Sequence, residues 1–333
     1  MFKKRDSVIS ECLVAAASDH GAESSRQLNE FATALTLPLR QAIFDCDNRF
    51  DIFEAVDFRD QSCVEFPIDP IQPGMENDFK AFAVPDCSCL PCVLLEADYV
   101  TIPTYEIANC VEWCMKRARK GNLNIVDRAT EAFRAGFTKK MNDDGWHVLV
   151  ASGLDRNIIV RDSAAVAGQF TKRLVSLMKL VMRRNGGGNS TCLNRGQLTD
   201  LFLSPEGMED IRNWNVDQVD EITRREIFVG ADCDNGLTRI FCVNLHALDE
   251  LGVNQEYQLY YENDLSGVLP AGKQEIVVGL DLANRDSFVQ PIVSELEVFG
   301  DDSMRKCRRQ GIYGFFEGGF SALSSRRVLL GAI

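Results

Sequence analysis

The sequence predicts an α+β protein of about two parts, and three patterns carry that prediction. An apolar stripe of helical period runs through residues 122–151. Short strand-like segments fill much of the chain after residue 198. An acidic, proline-punctuated stretch separates the helical start from both. The 333 residues suffice for roughly two domains of about 150 residues each.

Residues 1–45 read as helical and nearly neutral, with Gly21 breaking the run and Pro38 ending it. Residues 46–100 hold twelve acidic residues against Arg49, Arg59 and Lys80, a net −9, together with five of the ten prolines. Phe50, Ile52, Val56 and Phe58 fit a period of two and predict a strand. Pro67–Gly74 is turn-rich, and Phe79–Val84 would return antiparallel. A hairpin of this composition buries little surface alone, so the stretch reads as a projecting arm.

The helix over 122–151 places apolar residues at 126, 129, 133, 137 and 141, with Trp146 and Leu149 continuing the stripe. Asn124 would cap it, with Asp127 three residues on. About 27 residues at 1.5 Å each make roughly 40 Å. A second helix is predicted over 163–184, from Val166, Phe170, Leu174, Leu177, Met178 and Val181. Arg183 and Arg184 complement its C-terminal dipole, and Asn185-Gly186-Gly187-Gly188 stops it.

Leu198–Leu203 reads as a strand, and Ser204-Pro205-Glu206 as a helix start, with Ser as cap and Pro at the first helical position. Asn235-Gly236 predicts a hairpin between Ile227–Val229 and Leu237–Val243. Further strands are predicted at Tyr257–Tyr261, Glu275–Leu282 and Phe288–Phe299, and the end, Gly311–Ile333, reads as β.

Thirty-six Lys+Arg against 49 Asp+Glu give a formal charge of −13, which argues against a free nucleic-acid binder with its basic stripe. Apolar residues at 45% and charged residues at 26% exclude a disordered or collagen-like chain. No run of about 18 apolar residues is present, so no membrane span is expected. The basic start, Met-Phe-Lys-Lys-Arg-Asp, is followed by charge and Cys12 rather than by a signal-peptide core. The twelve cysteines are therefore expected as reduced thiols, most of them acting as small buried hydrophobes.

Chemistry-bearing motifs are few. Gly186-Gly187-Gly188-Asn189-Ser190-Thr191 lacks the Gly-Lys-Ser/Thr ending of a phosphate loop and follows a helix. His20, His147 and His246 stand in no nucleophile or HExxH motif. Asp143-Asp144 and Asp217/Glu221 read as solvated faces rather than acid/base pairs. Arg305-Lys306-Cys307-Arg308-Arg309 has no interleaved aromatics and reads as a surface or inter-subunit ion-pair cluster. Cys87, Cys89 and Cys92 are three thiols within six residues that can converge on one tetrahedral metal. Cys63, Cys110 or Cys114 would supply the fourth ligand. A disulfide and plain buried thiols are the alternatives, and plain thiols are preferred. No catalytic, cofactor-binding or metal residue is therefore assigned, and no enzyme activity or cofactor is expected.

Four segments carry a family likeness. Thr101–Asn109, just before the long helix, resembles the start of the spine region in major capsid proteins of tailed double-stranded DNA bacteriophages. Leu201–Trp214, Val219–Ile227 and Arg326–Ile333 resemble later segments of the same proteins, in the expected order over roughly 100–333. The resemblance implies the Hong Kong 97-type capsid fold. Residues 1–45 would be an N-terminal arm and 46–100 an extended loop lying over a neighbour. Residues 101–154 plus 290–333 would form a peripheral domain with the long helix as its spine, and 155–289 an axial domain.

The function implied is a viral structural protein that self-assembles, as hexamers and pentamers, into an icosahedral virion shell. The shell would enclose double-stranded DNA without specific binding and would be put together in the bacterial host cytoplasm, with no membrane involved. A separate scaffolding protein, a portal and decoration or cement proteins are the other partners implied. Covalent crosslinking is not expected, because Lys80 is the only lysine of the loop and no motif marks its partner. An encapsulin-like shell around cargo protein is the alternative.

Overall fold

A computed structural model describes residues 22–45, 52–59, 63–67, 99–116, 123–185, 196–214, 238–283 and 287–333. The chain divides into two compact units. The first takes residues up to 64, 101–145 and 289–321, and the second takes 65–100, 146–288 and 322–333.

In the first unit the strands β1 (Glu54–Asp57), β4 (Tyr105–Cys114), β10 (Phe288–Asp301) and β11 (Arg309–Gly318) form a sheet of order β1-β10-β11-β4. The central pairs are antiparallel, and β1 joins the edge of β10 in parallel. Side chains alternate across a pleated sheet. On one face Ile107, Trp113, Leu296, Val298, Ile312 and Phe316 are buried. Two helices cover that face: α1 (Ala22–Asp45) and the first part of α2 (Leu123–Asp155). Phe31 of α1 meets Trp113 edge-on at 6.4 Å. Phe133 of α2 is fully buried, and a Cβ on Gly314 would lie 2.9 Å from its ring. Asn109 donates from Nδ2 to the Phe133 carbonyl at 3.0 Å, directly over Gly136. The lack of a side chain at these two glycines sets how closely α2 lies on the sheet.

The second unit holds a six-stranded mixed sheet of order β5-β13-β9-β6-β8-β7. Its strands are β5 (Ile159–Arg161), β6 (Asp200–Leu203), β7 (Thr238–Ile240), β8 (Val243–Ala247), β9 (Ile276–Leu280) and β13 (Val328–Ala332). All five residues of β9 and of β13 are buried, as expected of strands covered on both faces. Met178 of α3 (Lys172–Asn185) packs on one face against Gly279 and Gly331. Trp146, near the end of α2, meets Phe202 of β6 edge-on at 4.8 Å and stacks on Tyr257 at 5.9 Å on the other. A short strand, β12 (Ser321–Ala322), also pairs with β10, and β2 (Glu65–Pro67) pairs with β3 (Tyr99–Thr101).

The long helix runs 33 residues, Leu123–Asp155, about 50 Å at 1.5 Å per residue. Val126, Ala129, Phe133, Phe137, Met141, Trp146 and Leu149 are all buried, as their spacing predicts. Asn124 is inside the helix and not its cap. Ser204 caps α4 (Pro205–Arg212) as predicted, its Oγ accepting from the Gly207 amide at 3.1 Å.

Four further expectations are corrected. Helix α1 continues through Pro38. A helix-interior proline costs about 3 kcal/mol, but buried Leu28, Phe31 and Ala32 anchor the helix before it. After it, Leu39 is buried and Arg40 donates to the Leu296 carbonyl at 2.7 Å. The second helix begins at Lys172, not 163. Thr171 receives the Leu174 amide and donates to Asp162, while Val166 stands exposed in the preceding turns.

Tyr257–Tyr261 is not a strand. Glu256–Leu259 is α-helical (α5) and continues into a π-turn, Tyr260–Asp264, so that Tyr257 and Tyr261, one turn apart, are both buried. Leu237–Val243 is not one strand either. Phe241 and Cys242 take φ of 51° and 63°, the paired left-handed geometry of a two-residue hairpin, and join β7 to β8. Asn235-Gly236, Gly186–Thr191, Asp217/Glu221, Val219–Ile227, His20, Lys80, Pro70–Gly74 and Cys87, Cys89 and Cys92 lie outside the described residues.

Phe133→Ala should lower unfolding free energy by about 3–5 kcal/mol, because it empties a site on both a helix and a sheet. Denaturant titration of the variant checks this.

Candidate interaction surface

The residues singled out in the sequence do not converge. His246 and Asp200 face each other across β6 and β8, Nε2 to Oδ1 2.8 Å, with the imidazole stacked on Phe202 at 4.7 Å. Asn244 donates to the same carboxylate oxygen at 3.0 Å. His147 stacks on Tyr260 at 3.8 Å. Both arrangements read as packed polar bridges of the second unit. Asp143 and Asp144 pair with Lys139 and Lys140 one turn back, and Tyr105 donates to Asp144 at 2.7 Å.

The basic run forms the turn between β10 and β11, where Arg308 takes a left-handed φ of 58° and Arg309 reaches Glu112 at 3.5 Å. Cys110 and Cys114 lie four residues apart on β4, about 13 Å at 3.4 Å per residue. They therefore cannot both bind one tetrahedral ion. Among the described residues no group of three or more His, Cys, Asp and Glu is placed to hold a metal, and no helix is long and apolar enough to cross a membrane.

Buried carboxylates in the second unit do structural work of opposite sign. For Asp200, burial is the largest influence and pushes the carboxyl up. The donors His246, Asn244 and Thr199 with the His246 charge outweigh it and hold the group below its ordinary value. Asp162 behaves alike: burial pushes up, while the Ala164 amide, the Thr171 hydroxyl, Arg173 and Lys273 hold it down. Glu275 is raised, mainly by burial, with Glu206 and Asp210 adding to it, against the 2.6 Å hydrogen bond that Ser204 donates.

The second face of the first unit's sheet is exposed among the described residues. Ala108, Cys110, Phe299, Tyr313 and Phe315 line its centre. Phe299, Tyr313 and Cys110 stand in one row across three strands, and Phe315 and Ala108 in the next. Phe299 stacks on Tyr313 at 5.5 Å, and Tyr313 meets Phe315 edge-on at 5.6 Å. Phe299 and Phe315 remain 39% and 38% exposed, unusual for aromatics in a monomer's sheet. Carboxylates ring this centre. Glu112 and Asp301 lie across the next row, Glu297 pairs with Phe315, and Glu106 with Glu317 closes the far end. Burial, then Asp301 and Glu112, push the Cys110 thiol up. The alternation of exposed Glu and aromatic residues along β10 and β11 is present in the sequence, but which face the helices cover is not.

A carboxylate held below its unfolded value stabilises the fold above that value, near 4, and the contribution is lost as pH falls through the folded value. Asp162 and Asp200 therefore make the second unit acid-labile. Glu275 runs the other way: its contribution is present below its unfolded value and lost as pH rises through the raised one. Asp200→Asn should cost about 1–3 kcal/mol at neutral pH and flatten the acid limb. Glu275→Gln should raise the melting temperature more at about pH 8 than at about pH 4. Melting curves across that range test both, and an equal effect of Glu275→Gln at the two ends would be inconsistent with a raised carboxyl.

No family model matches the chain, and no curated protein matches it. Solved structures do. One from Microbacterium phage Oxtober96 is 11% identical, with a TM-score of 0.57 over 86% of this chain and 90% of that one. The Cyanophage Pam1 capsid asymmetric unit is 13% identical, with a TM-score of 0.57 over 86% and 92%. The head structure of Helicobacter pylori bacteriophage KHP40 is 9% identical, with a TM-score of 0.56 over 86% and 90%. Likeness this extended at so little identity is likeness of fold. The chain has the α+β Hong Kong 97-type capsid fold that the resemblance in its sequence implies.

Proposed function

We propose that this chain is a major capsid protein: copies of it self-assemble into the icosahedral head that encloses the double-stranded DNA of a tailed bacteriophage. The carrying observation is the fold shared over 86% of the chain with phage capsid and head structures. An encapsulin-like compartment shell is not favoured, since these neighbours are heads and capsids. The role is structural rather than catalytic, and the place of action is the virion, with assembly in the bacterial host cytoplasm.

In this reading residues 1–45 serve as the N-terminal arm and 46–100 as the extended loop. Residues 101–154 with 290–333 serve as the peripheral domain, and 155–289 as the axial domain. Copies meet as hexamers and pentamers, with scaffolding, portal and decoration or cement proteins as further partners. The excess of acid, net −13, suits a wall that packed DNA must not adhere to. The Arg305–Arg309 turn then serves contacts between copies.

Purified protein should form shells or capsomers visible by electron microscopy and elute far above its 37.2 kDa subunit mass. It should bind DNA weakly at physiological salt. A strictly monomeric protein across concentrations and salts, even with the phage's other head proteins, would refute the reading. So would tight DNA binding with a steep salt slope.

A further inference from the structure

Two charged features of the first unit's sheet complement each other and lie at its opposite ends. At the far end of the exposed face Glu106 and Glu317 stand directly opposite each other across β4 and β11. Glu297 lies one row away, paired with Phe315. Like charges facing each other across two strands repel. Among the described residues none of these three carboxylates has an ion-pair partner. At the near end the turn Ser303–Cys307, followed by Arg308, joins β10 to β11. Lys306 and Arg308 are exposed there and likewise have no ion-pair partner among the described residues. Met304, beside them, is exposed too.

The cations of the turn cannot relieve that repulsion within one copy. Eight residue steps separate Arg309 from Glu317 along β11, roughly 27 Å at about 3.4 Å each. That is several times the length of a Lys or Arg side chain. A second copy carries the same turn, and when copies meet head to tail each turn reaches the far end of the next sheet. Contacts of this heterologous kind repeat around a ring. The size of the face fits the same reading. Three strands about 4.8 Å apart over those eight steps give roughly 400 Å², half of the about 800 Å² per partner that an interface between folded proteins takes. The face therefore suits a turn that makes one contact among several in an assembly, not a separate globular partner.

We infer that the Arg305–Arg309 turn of one copy docks on the Glu106–Glu317 end of the exposed sheet face of a neighbouring copy. Lys306 and Arg308 meet the carboxylates of Glu106, Glu317 and Glu297, and Met304 packs against the Phe315 ring. This contact rests on the shell reading for its second copy, whereas the charges that join the two surfaces are those of this sheet.

Particle yield of the full-length protein is measured by sedimentation and electron microscopy for the wild type, K306E/R308E, E106K/E317K and the combination of all four changes. The four positions are exposed or half-buried, and melting curves check that each variant folds. Each reversed pair should lower the yield about tenfold. The combination should restore it, because the charges then match in the opposite sense. In a second measurement Glu106→Cys is treated with a short bismaleimide during assembly, and crosslinked peptides are read by mass spectrometry. A link from position 106 to exposed Cys307 is too long to form within one copy, so its appearance reports the contact between copies. It should weaken at high salt. Full yield in both reversed variants, a combination no better than either, or no link from position 106 to Cys307 in assembled protein would each overturn the contact and leave the shell reading in place. A wild type that forms neither particles nor capsomers would overturn both.

Discussion

The first unit depends on a sheet that is buried on one side only. Ile107, Trp113, Leu296, Val298, Ile312 and Phe316 point into a layer made by α1 and α2, and the strict alternation of a pleated strand sends every intervening residue to the other side. The depth of the helical layer is fixed by contacts that leave no room for a side chain: the Phe133 ring over Gly314, and Asn109 over Gly136. Once that seam is set, Phe299, Tyr313 and Phe315 have no choice but to face outward. The exposed aromatic row is thus a consequence of the same alternation that builds the core.

Charge follows a different logic in each unit. On the first unit's sheet, acidic residues ring an apolar centre and stay solvated, where each ion pair contributes little. In the second unit carboxylates are taken into the interior and must be satisfied there. Asp281 is fully buried, paired with Arg327 and hydrogen-bonded by the Gln197 and Ala283 amides. Asp200 gathers His246 and Asn244, and Asp162 gathers Thr171 and the Ala164 amide. These networks tie loops and strands distant in sequence, and breaking any one would strand a charge in a dry environment. They account for three polar residues that composition alone would have put on the surface.

That 9–13% identity accompanies a shared fold is intelligible on the same grounds. What the architecture requires is the placement of apolar faces along a long helix and a few strands, with caps and tight approaches at fixed points. Many sequences meet those requirements. Function, by contrast, resides in the surfaces, and those are where the chain is free to differ.

The sequence by itself determined the elements whose signals are local or strongly periodic. The 126–149 stripe specified the long helix, Ser204-Pro205-Glu206 the capped start of α4, and the apolar runs at Phe288–Phe299 and after Gly311 the last strands. Only the tertiary structure decided the rest. Pro38 stays helical because Leu28, Phe31 and Leu39 are held on the sheet at either side of it. Tyr257 and Tyr261 become one face of a helix because Trp146 gives the first a stacking partner, whereas in sequence two aromatics four apart suit a strand equally well. Phe241-Cys242 makes a hairpin that no Asn or Gly announces, because β7 and β8 pair only if the chain reverses there. The interaction surface was legible as alternation but not as a site, since a period of two marks two faces and says nothing of which one the helices will cover.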